Sequence, residues 1–194
     1  MSRIGKKPVA IPQGVKLELI GNTVKVSGPK GVIEERIHPN ITVVIDANQV
    51  VFTRGSDDKF DRALHGLSRS LVNNAVTGVT EGFRKVLLIY GVGYKVQITP
   101  AGLTMQLGFS HPVEVKRPAG IEFEIFEDPI LKGTKSTGYQ ANVIVKGISK
   151  QLVGEIAAEI RGLKPPEPSA GKGIRYQDEQ VRRKAGKTAA GATA

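Results

Sequence analysis

Lys132-Gly133-Thr134-Lys135-Ser136-Thr137-Gly138 has the residue types of a phosphate-binding loop. It lacks the Gly-x-x-x-x-Gly-Lys-Ser/Thr spacing that cradles a nucleotide, so it reads as a polar loop, able at most to touch a phosphate. Gly91-Val92-Gly93 lacks the third glycine and following helix of a dinucleotide fingerprint and reads as a bend in a strand. His38, His65 and His111 are far apart and two precede proline, whereas metal coordination needs such ligands clustered. No Gly-x-Ser-x-Gly elbow presents a serine nucleophile. With no cysteine, thiolate catalysis, thiolate metal sites and disulfides are excluded. Glu34-Glu35 and the trio Glu122, Glu124 and Glu127 read as solvated strand faces. No catalytic residue, metal, cofactor or small-molecule substrate is expected, and the chain reads as no enzyme.

What remains is positive charge. The 194 residues carry 28 Lys and Arg against 18 Asp and Glu, a net +10, and a sequence pI near 9.9 is the footprint of a nucleic-acid binder. Arg3, Lys6, Lys7 and Lys16 stand in residues 1–16 with no acid. From residue 161 onward, Arg161, Lys164, Lys172, Arg175, Arg182, Arg183, Lys184 and Lys187 face only Glu167, Asp178 and Glu179. The body between the two ends is nearly balanced. This predicts a basic arm and tail lying along phosphates, with binding that falls as salt rises because counterions are released. Arg62 with Arg69, and Lys146 with Lys150, are expected on helix faces, Arg84-Lys85 at a domain junction, and Lys116-Arg117 in a turn.

The elements that must hold these cations read as strands followed by a helix, twice. Residues 15–19 and 23–26 alternate about a Gly21-Asn22 turn, Gly28-Pro29-Lys30-Gly31 is another turn, and 32–33, 41–45 and 50–52 complete a β-rich stretch. Phe60, Leu64, Leu67, Leu71 and Ala75 then form a helical stripe, with Ser56, Asp57 and Asp58 at its start and Gly78 at its stop. Strands are expected over 83–90, 95–98, 103–107, 113–116 and 121–126, then a second stripe of Ile144, Ile148, Leu152, Ile156 and Ile160 ending at Gly162. Strands before helices mean α+β with mainly antiparallel sheets. Three ordered matches suggest a duplicated unit: Lys25-Val26 with Lys95-Val96, His38-Pro39 with His111-Pro112, and 65–72 with 146–153. The expected division is a basic arm over 1–14, α+β domains over 15–82 and 83–162, and a basic Pro/Gly-rich tail over 163–194. The apolar run 86–90 is far short of the ~20 residues of a membrane helix. No apolar region follows the basic start, so no secretory signal and no membrane partner are expected.

The C-terminal text is the specific one. Gly162-Leu163-Lys164-Pro165-Pro166-Glu167-Pro168-Ser169-Ala170-Gly171-Lys172-Gly173-Ile174-Arg175-Tyr176, then Glu179-Gln180-Val181-Arg182-Arg183-Lys184-Ala185-Gly186-Lys187, closely resembles the signature of the L-six family of bacterial large-subunit ribosomal proteins. Ser2-Arg3-Ile4-Gly5-Lys6-Lys7-Pro8 resembles its opening, and Gly28-Pro29-Lys30-Gly31 and Gly91-Val92-Gly93-Tyr94 its internal motifs. The chain departs at Ser169-Ala170, where the family carries Tyr-Lys. That removes an aromatic ring and a charge from a loop the resemblance implies meets RNA.

The resemblance implies two similar tandem domains in a cytoplasmic ribosomal protein bound to large-subunit (23S) rRNA. It also implies neighbouring large-subunit proteins, and a place near the stalk base where translation GTPases dock. The expected RNA contacts are Arg3, Lys6, Lys7, Arg62, Arg69, Arg84, Lys85, Lys164, Lys172, Arg175, Arg182, Arg183, Lys184 and Lys187. Tyr176 is expected to stack, and Gly171 and Gly173 to admit close backbone approach. Two other classes are weaker readings: a DNA or nucleoid binder would need a basic recognition helix, and an RNA-modifying enzyme a catalytic constellation.

Overall fold

The computed structural model describes residues 4–129, 131 and 138–184. Arg3, the polar loop over 132–137 and the tail end with Lys187 lie outside the described residues. The chain divides into two compact units, Met1–Phe83 with Gly147–Lys150, and Arg84–Lys146 with Gln151–Ala194.

The first unit contains β1 (Val9–Ala10), β2 (Lys16–Ile20), β3 (Thr23–Gly28), β4 (Gly31–Arg36), β5 (Ile41–Ile45), β6 (Gln49–Arg54) and α1 (Lys59–Thr80). Its sheets are ordered β2-β3-β4 and β1-β6-β5, antiparallel throughout. The expected turns hold: Ile20 pairs Thr23 across Gly21-Asn22, and Gly28 pairs Gly31 across Pro29-Lys30. Val9, Val24, Val26, Val50 and Phe52 are buried with Val72, Ala75, Val76 and Val79 of α1. The basic arm is therefore tied down from Val9, which pairs Val50.

The second unit contains β7 (Phe83–Tyr90), β8 (Lys95–Thr99), β9 (Gly102–Gln106), β10 (Val113–Lys116), β11 (Ile121–Phe126), β12 (Tyr139–Gly147), α2 (Lys150–Leu163) and β13 (Gly173–Tyr176). Its sheets are ordered β8-β9-β10 and β11-β12-β7-β13. The order β1-β6-β5 recurs as β7-β12-β11, and β2-β3-β4 as β8-β9-β10, so the two units are one α+β plan used twice. The three sequence matches do not mark that repeat. Lys25-Val26 lies in β3 and Lys95-Val96 in β8, whose counterpart is β2; 65–72 is mid-helix, whereas 146–153 straddles the end of β12 and the start of α2.

Several helix expectations are corrected. The inward face of α1 is only in part the expected stripe: Leu64 and Ala75 pack into the core, but Phe60 and Leu67 are 57% and 53% exposed, while Asp61, His65 and Ser68 are buried. Asp58 caps the start, accepting from the Phe60 N–H, but Gly78 is interior and the helix runs to Thr80, with Gly82 beyond it at φ +78°. A Cβ on Gly78 would overlap the carbonyl of Ile148, a residue of the same unit, so Gly78 permits close approach. The second stripe is also split. Ile144 lies in β12, Ile148 precedes α2, and Val153, Ile156, Ala157 and Ile160 form the buried face. A stride of four fits a strand of period two as well as a helix, which is why the stripe crosses the boundary. α2 also continues through Gly162 to Leu163, and Lys146, on β12, pairs with Glu124 rather than sharing a helix face with Lys150.

Asp61 and His65 on this face are both hydrogen-bonded. Asp61 accepts from Asn40 Nδ2 (2.8 Å) and Ser56 Oγ (2.6 Å). His65 Nε2 lies 2.9 Å from the Phe52 carbonyl, which can only accept, so the proton is assigned to Nε2. Nδ1 then accepts from Arg54 Nη1 at 3.1 Å. A Cβ at Gly5 would stand 2.6 Å from His65 Nδ1, so the arm rests against this ring.

Glycine positions in the two helices give opposite expectations for stability. Gly154, interior to α2, has open space where a Cβ would go, so Gly154→Ala is expected to gain about 0.5–1 kcal/mol in urea unfolding. Gly78→Ala is expected to lose about 1–3 kcal/mol in the same measurement, because overpacking outweighs propensity. For Asp61, hydrogen bonds from Ser56 and then Asn40 hold the carboxyl below the usual carboxylate range. Its contribution is present above about pH 4, the unfolded value, and lost as pH falls through the lower folded value. Melting temperature followed below pH 4 should fall more steeply for the native chain than for Asp61→Ala.

Candidate nucleic-acid interface

The first unit presents Lys6, Lys7 and Arg62 to solvent. Arg69 is half-buried and its Nε donates to the Lys7 carbonyl at 3.3 Å, so it holds the arm as well as carrying charge. The histidines lie in separate local contacts: His38 edge-on to Phe60, His65 in the network above, and His111 stacked on Phe109. Among the described residues no three His, Cys, Asp or Glu side chains form a group that could hold a metal, and no helix is long and apolar enough to cross a membrane.

The second unit gathers the tail cations. Residues 173–176 form an edge strand, Gly173 opposite Tyr90 and Tyr176 opposite Leu87, and Ile174 is fully buried. Four residues are too few to show a period, so the sequence pattern alone assigns this stretch to the tail. Gly173 sits at φ +132°, and a Cβ there would stand 2.5 Å from the Pro165 carbonyl oxygen. The Ile174 N–H donates to the Lys164 carbonyl, the Glu167 N–H to that of Lys172, and the Lys184 N–H to that of Pro168. The segment thus folds back on itself. Gly171, at φ +75°, lies beneath the Arg183 guanidinium. Both glycines have an internal reason for lacking a side chain.

Around this strand the expected residues fall into distinct settings. Lys172, Arg182, Arg183 and Lys184 are exposed, as are Ser169 and Ala170. Arg84 and Lys85 project from β7 into solvent. Lys164 Nζ lies 4.6 Å from the Phe109 ring centre. The Arg175 guanidinium lies 3.9 Å over Tyr90, with Nε buried and without a hydrogen-bond partner among the described residues. Tyr176 is half-buried between Lys85 (5.6 Å) and Arg161 (5.8 Å). Two features escape sequence reasoning. Phe109, 43% exposed, sits in Gly108-Phe109-Ser110-His111, where an aromatic between turn formers is the available signal. Arg161 donates to Glu179 through both Nε (2.8 Å) and Nη2 (2.5 Å); eighteen residues apart, this pair has no local signal. The Arg161 hydrogen bond holds the Glu179 carboxyl below the usual carboxylate range, and the Tyr176 N–H adds to it.

The described residues thus form a duplicated α+β body whose basic tail is anchored on the second unit. Comparison with known proteins makes the class specific. The family model described as Ribosomal protein L6 matches residues 11–82 and 90–177. Proteins named large ribosomal subunit protein uL6 align along nearly their whole lengths. That of Thermomicrobium roseum is 51% identical over 189 residues (97% of this chain, 96% of that one). That of Syntrophomonas wolfei is 50% identical over 187 (96% and 98%), and that of Carboxydothermus hydrogenoformans 47% over 188 (97% of each). The chain belongs to the ribosomal protein L6 family, and is a structural component of the large subunit of the cytoplasmic ribosome rather than an enzyme.

Gly173→Ala is expected to strain the positive-φ position and press on Pro165, costing about 1–3 kcal/mol. Hydrogen exchange at the amides of residues 174–176 should quicken while that of β12 stays slow.

Proposed function

We infer that this protein binds large-subunit 23S rRNA through its basic tail and arm, and stabilises the RNA fold near the stalk base where translation GTPases dock. The observation that carries the RNA reading is the pairing of Gly173–Tyr176 with β7. It holds one end of a segment whose exposed Lys172, Arg182, Arg183 and Lys184 can then meet phosphates with less chain entropy to lose. Phosphate contacts of this kind are individually modest and strongly salt-dependent. Tyr176, half-buried with Lys85 and Arg161 near its ring, supplies an aromatic surface for a base or sugar. Lys6, Lys7, Arg62 and Arg69 offer a second cationic set on the first unit, and Arg3 and Lys187 belong to the same reading. The place near the stalk base, with GTPases as neighbours, rests on the family resemblance.

The test is binding of the full chain to purified 23S rRNA across a salt series, with excess duplex DNA as competitor. Ending the chain at Gly162 would also remove β13, so the informative variant is Arg182→Ala/Arg183→Ala/Lys184→Ala. Its affinity should fall, and its log–log salt slope should shrink by roughly 0.7–0.9 for each phosphate that the variant no longer neutralises. Unchanged affinity and slope would sink the tail reading. Equal competition by DNA would reduce the interaction to generic charge.

A further inference from the structure

The tail holds an acid where a polyanion binder has no electrostatic use for one. Glu179 lies three residues after Tyr176 and three before Arg182, and on charge alone it repels phosphate. Its carboxylate is nevertheless the most fully engaged group of the segment. Oε2 accepts from Arg161 Nε (2.8 Å) and from the Tyr176 N–H (3.1 Å), and Oε1 accepts from Arg161 Nη2 (2.5 Å). The pair is two-pronged and partly sheltered, with the side chains 34% and 23% exposed. Such a fork fixes direction as well as distance. Arg161 stands in the last turn of α2, where a cation also complements the helix C-terminus, and its guanidinium lies 5.8 Å from the Tyr176 ring.

We propose that Glu179, held by Arg161, is a positioning residue of the RNA-facing tail: it anchors the chain just after β13 and so sets where Tyr176 and the cations at 182–184 stand. β13 alone cannot do this, since its last ladder pair is Tyr176 with Leu87 and the next tie is the Gln177 N–H to the Val86 carbonyl. The ion pair extends the anchoring to residue 179, leaving a short span before Arg182 whose far end is tied by the Lys184 N–H to the Pro168 carbonyl. Arg161 is drawn out of the pool of phosphate-binding cations, because both its Nε and Nη2 are directed at the carboxylate. The acid trades unfavourable charge for a fixed geometry, reducing the ordering that RNA binding must supply.

The proposal rests on the RNA-binding reading, and its sign separates it from that reading. Glu179→Ala makes the chain more positive, so if tail charge alone governs binding, affinity for purified 23S rRNA rises. We expect it to fall by roughly threefold to tenfold at fixed salt, with Glu179→Gln intermediate because the amide oxygen still accepts. Arg161→Ala/Glu179→Ala restores the native net charge but should bind no better than Glu179→Ala. Hydrogen exchange on the free full-length variants should quicken at the Tyr176 amide while β7 and α2 remain protected; that pattern also shows that the variant is folded, and Glu179→Gln carries the test if Glu179→Ala is not. Equal or tighter binding by Glu179→Ala, a double variant restored to native affinity, or unchanged Tyr176 exchange would each overturn the proposal. If the native chain itself fails to prefer 23S rRNA over duplex DNA, the functional reading fails instead, and the exchange measurement still decides whether the pair anchors the tail.

Discussion

Ile174 is the residue on which the arrangement of the tail depends. It is fully buried, and its strand completes a four-stranded sheet at the edge beside β7. Burying one such side chain contributes about 1.5–3 kcal/mol, enough to hold a four-residue strand with its ladder hydrogen bonds. Through it a Pro- and Gly-rich segment with little else to bury becomes part of a folded unit. The chain can thus carry dense positive charge beside a core without placing any of it inside. Arg175 is half-buried and is accommodated over the Tyr90 ring, where the ring face meets the cation.

The first unit solves the corresponding problem at its own end. Its arm enters as β1 and rests against His65, while Arg69 reaches back to the Lys7 carbonyl. A buried Asp, His and Ser on one helix would be expensive alone. Here Asn40, Ser56, Phe52 and Arg54 answer Asp61 and His65 from the neighbouring loop and strand. Polar groups at this position also specify which way the helix is turned, since any rotation strands them.

The repeated plan explains why one architecture serves both units and why each differs at its margin. Two meanders of three strands and two sheets of matching order carry a helix each. The second unit adds β13 and gains the tail; the first has only the two-residue β1 where the second has the eight-residue β7. Insertions accumulate after β11, where the connection to β12 is longer than that between β5 and β6, as loops tolerate them. The internal text matches fail to mark the repeat: two are dipeptides, which recur in β-rich chains by composition, and the third pairs a mid-helix segment with one spanning a strand end and a helix start.

Composition and pattern alone determined the α+β class, the doubling, the turns at Gly21-Asn22 and Gly28–Gly31, five of the second unit's strands to within a residue or so, and the concentration of charge at the ends. These are local properties: period, turn chemistry and counting need no partner. The C-terminal text from Gly162 to Lys187 carried the family. Only the tertiary structure decided which face of α1 is buried, because Asp61 and His65 become interior residues through partners distant in the chain. It decided that 139–147 is a strand, since a spacing of four satisfies both periods until the sheet supplies neighbours. It also decided that Gly173–Tyr176 joins β7 and that Arg161 meets Glu179. Those contacts span long stretches of chain, and their free energy comes from burial and charge pairing that exist only once the chain has closed on itself.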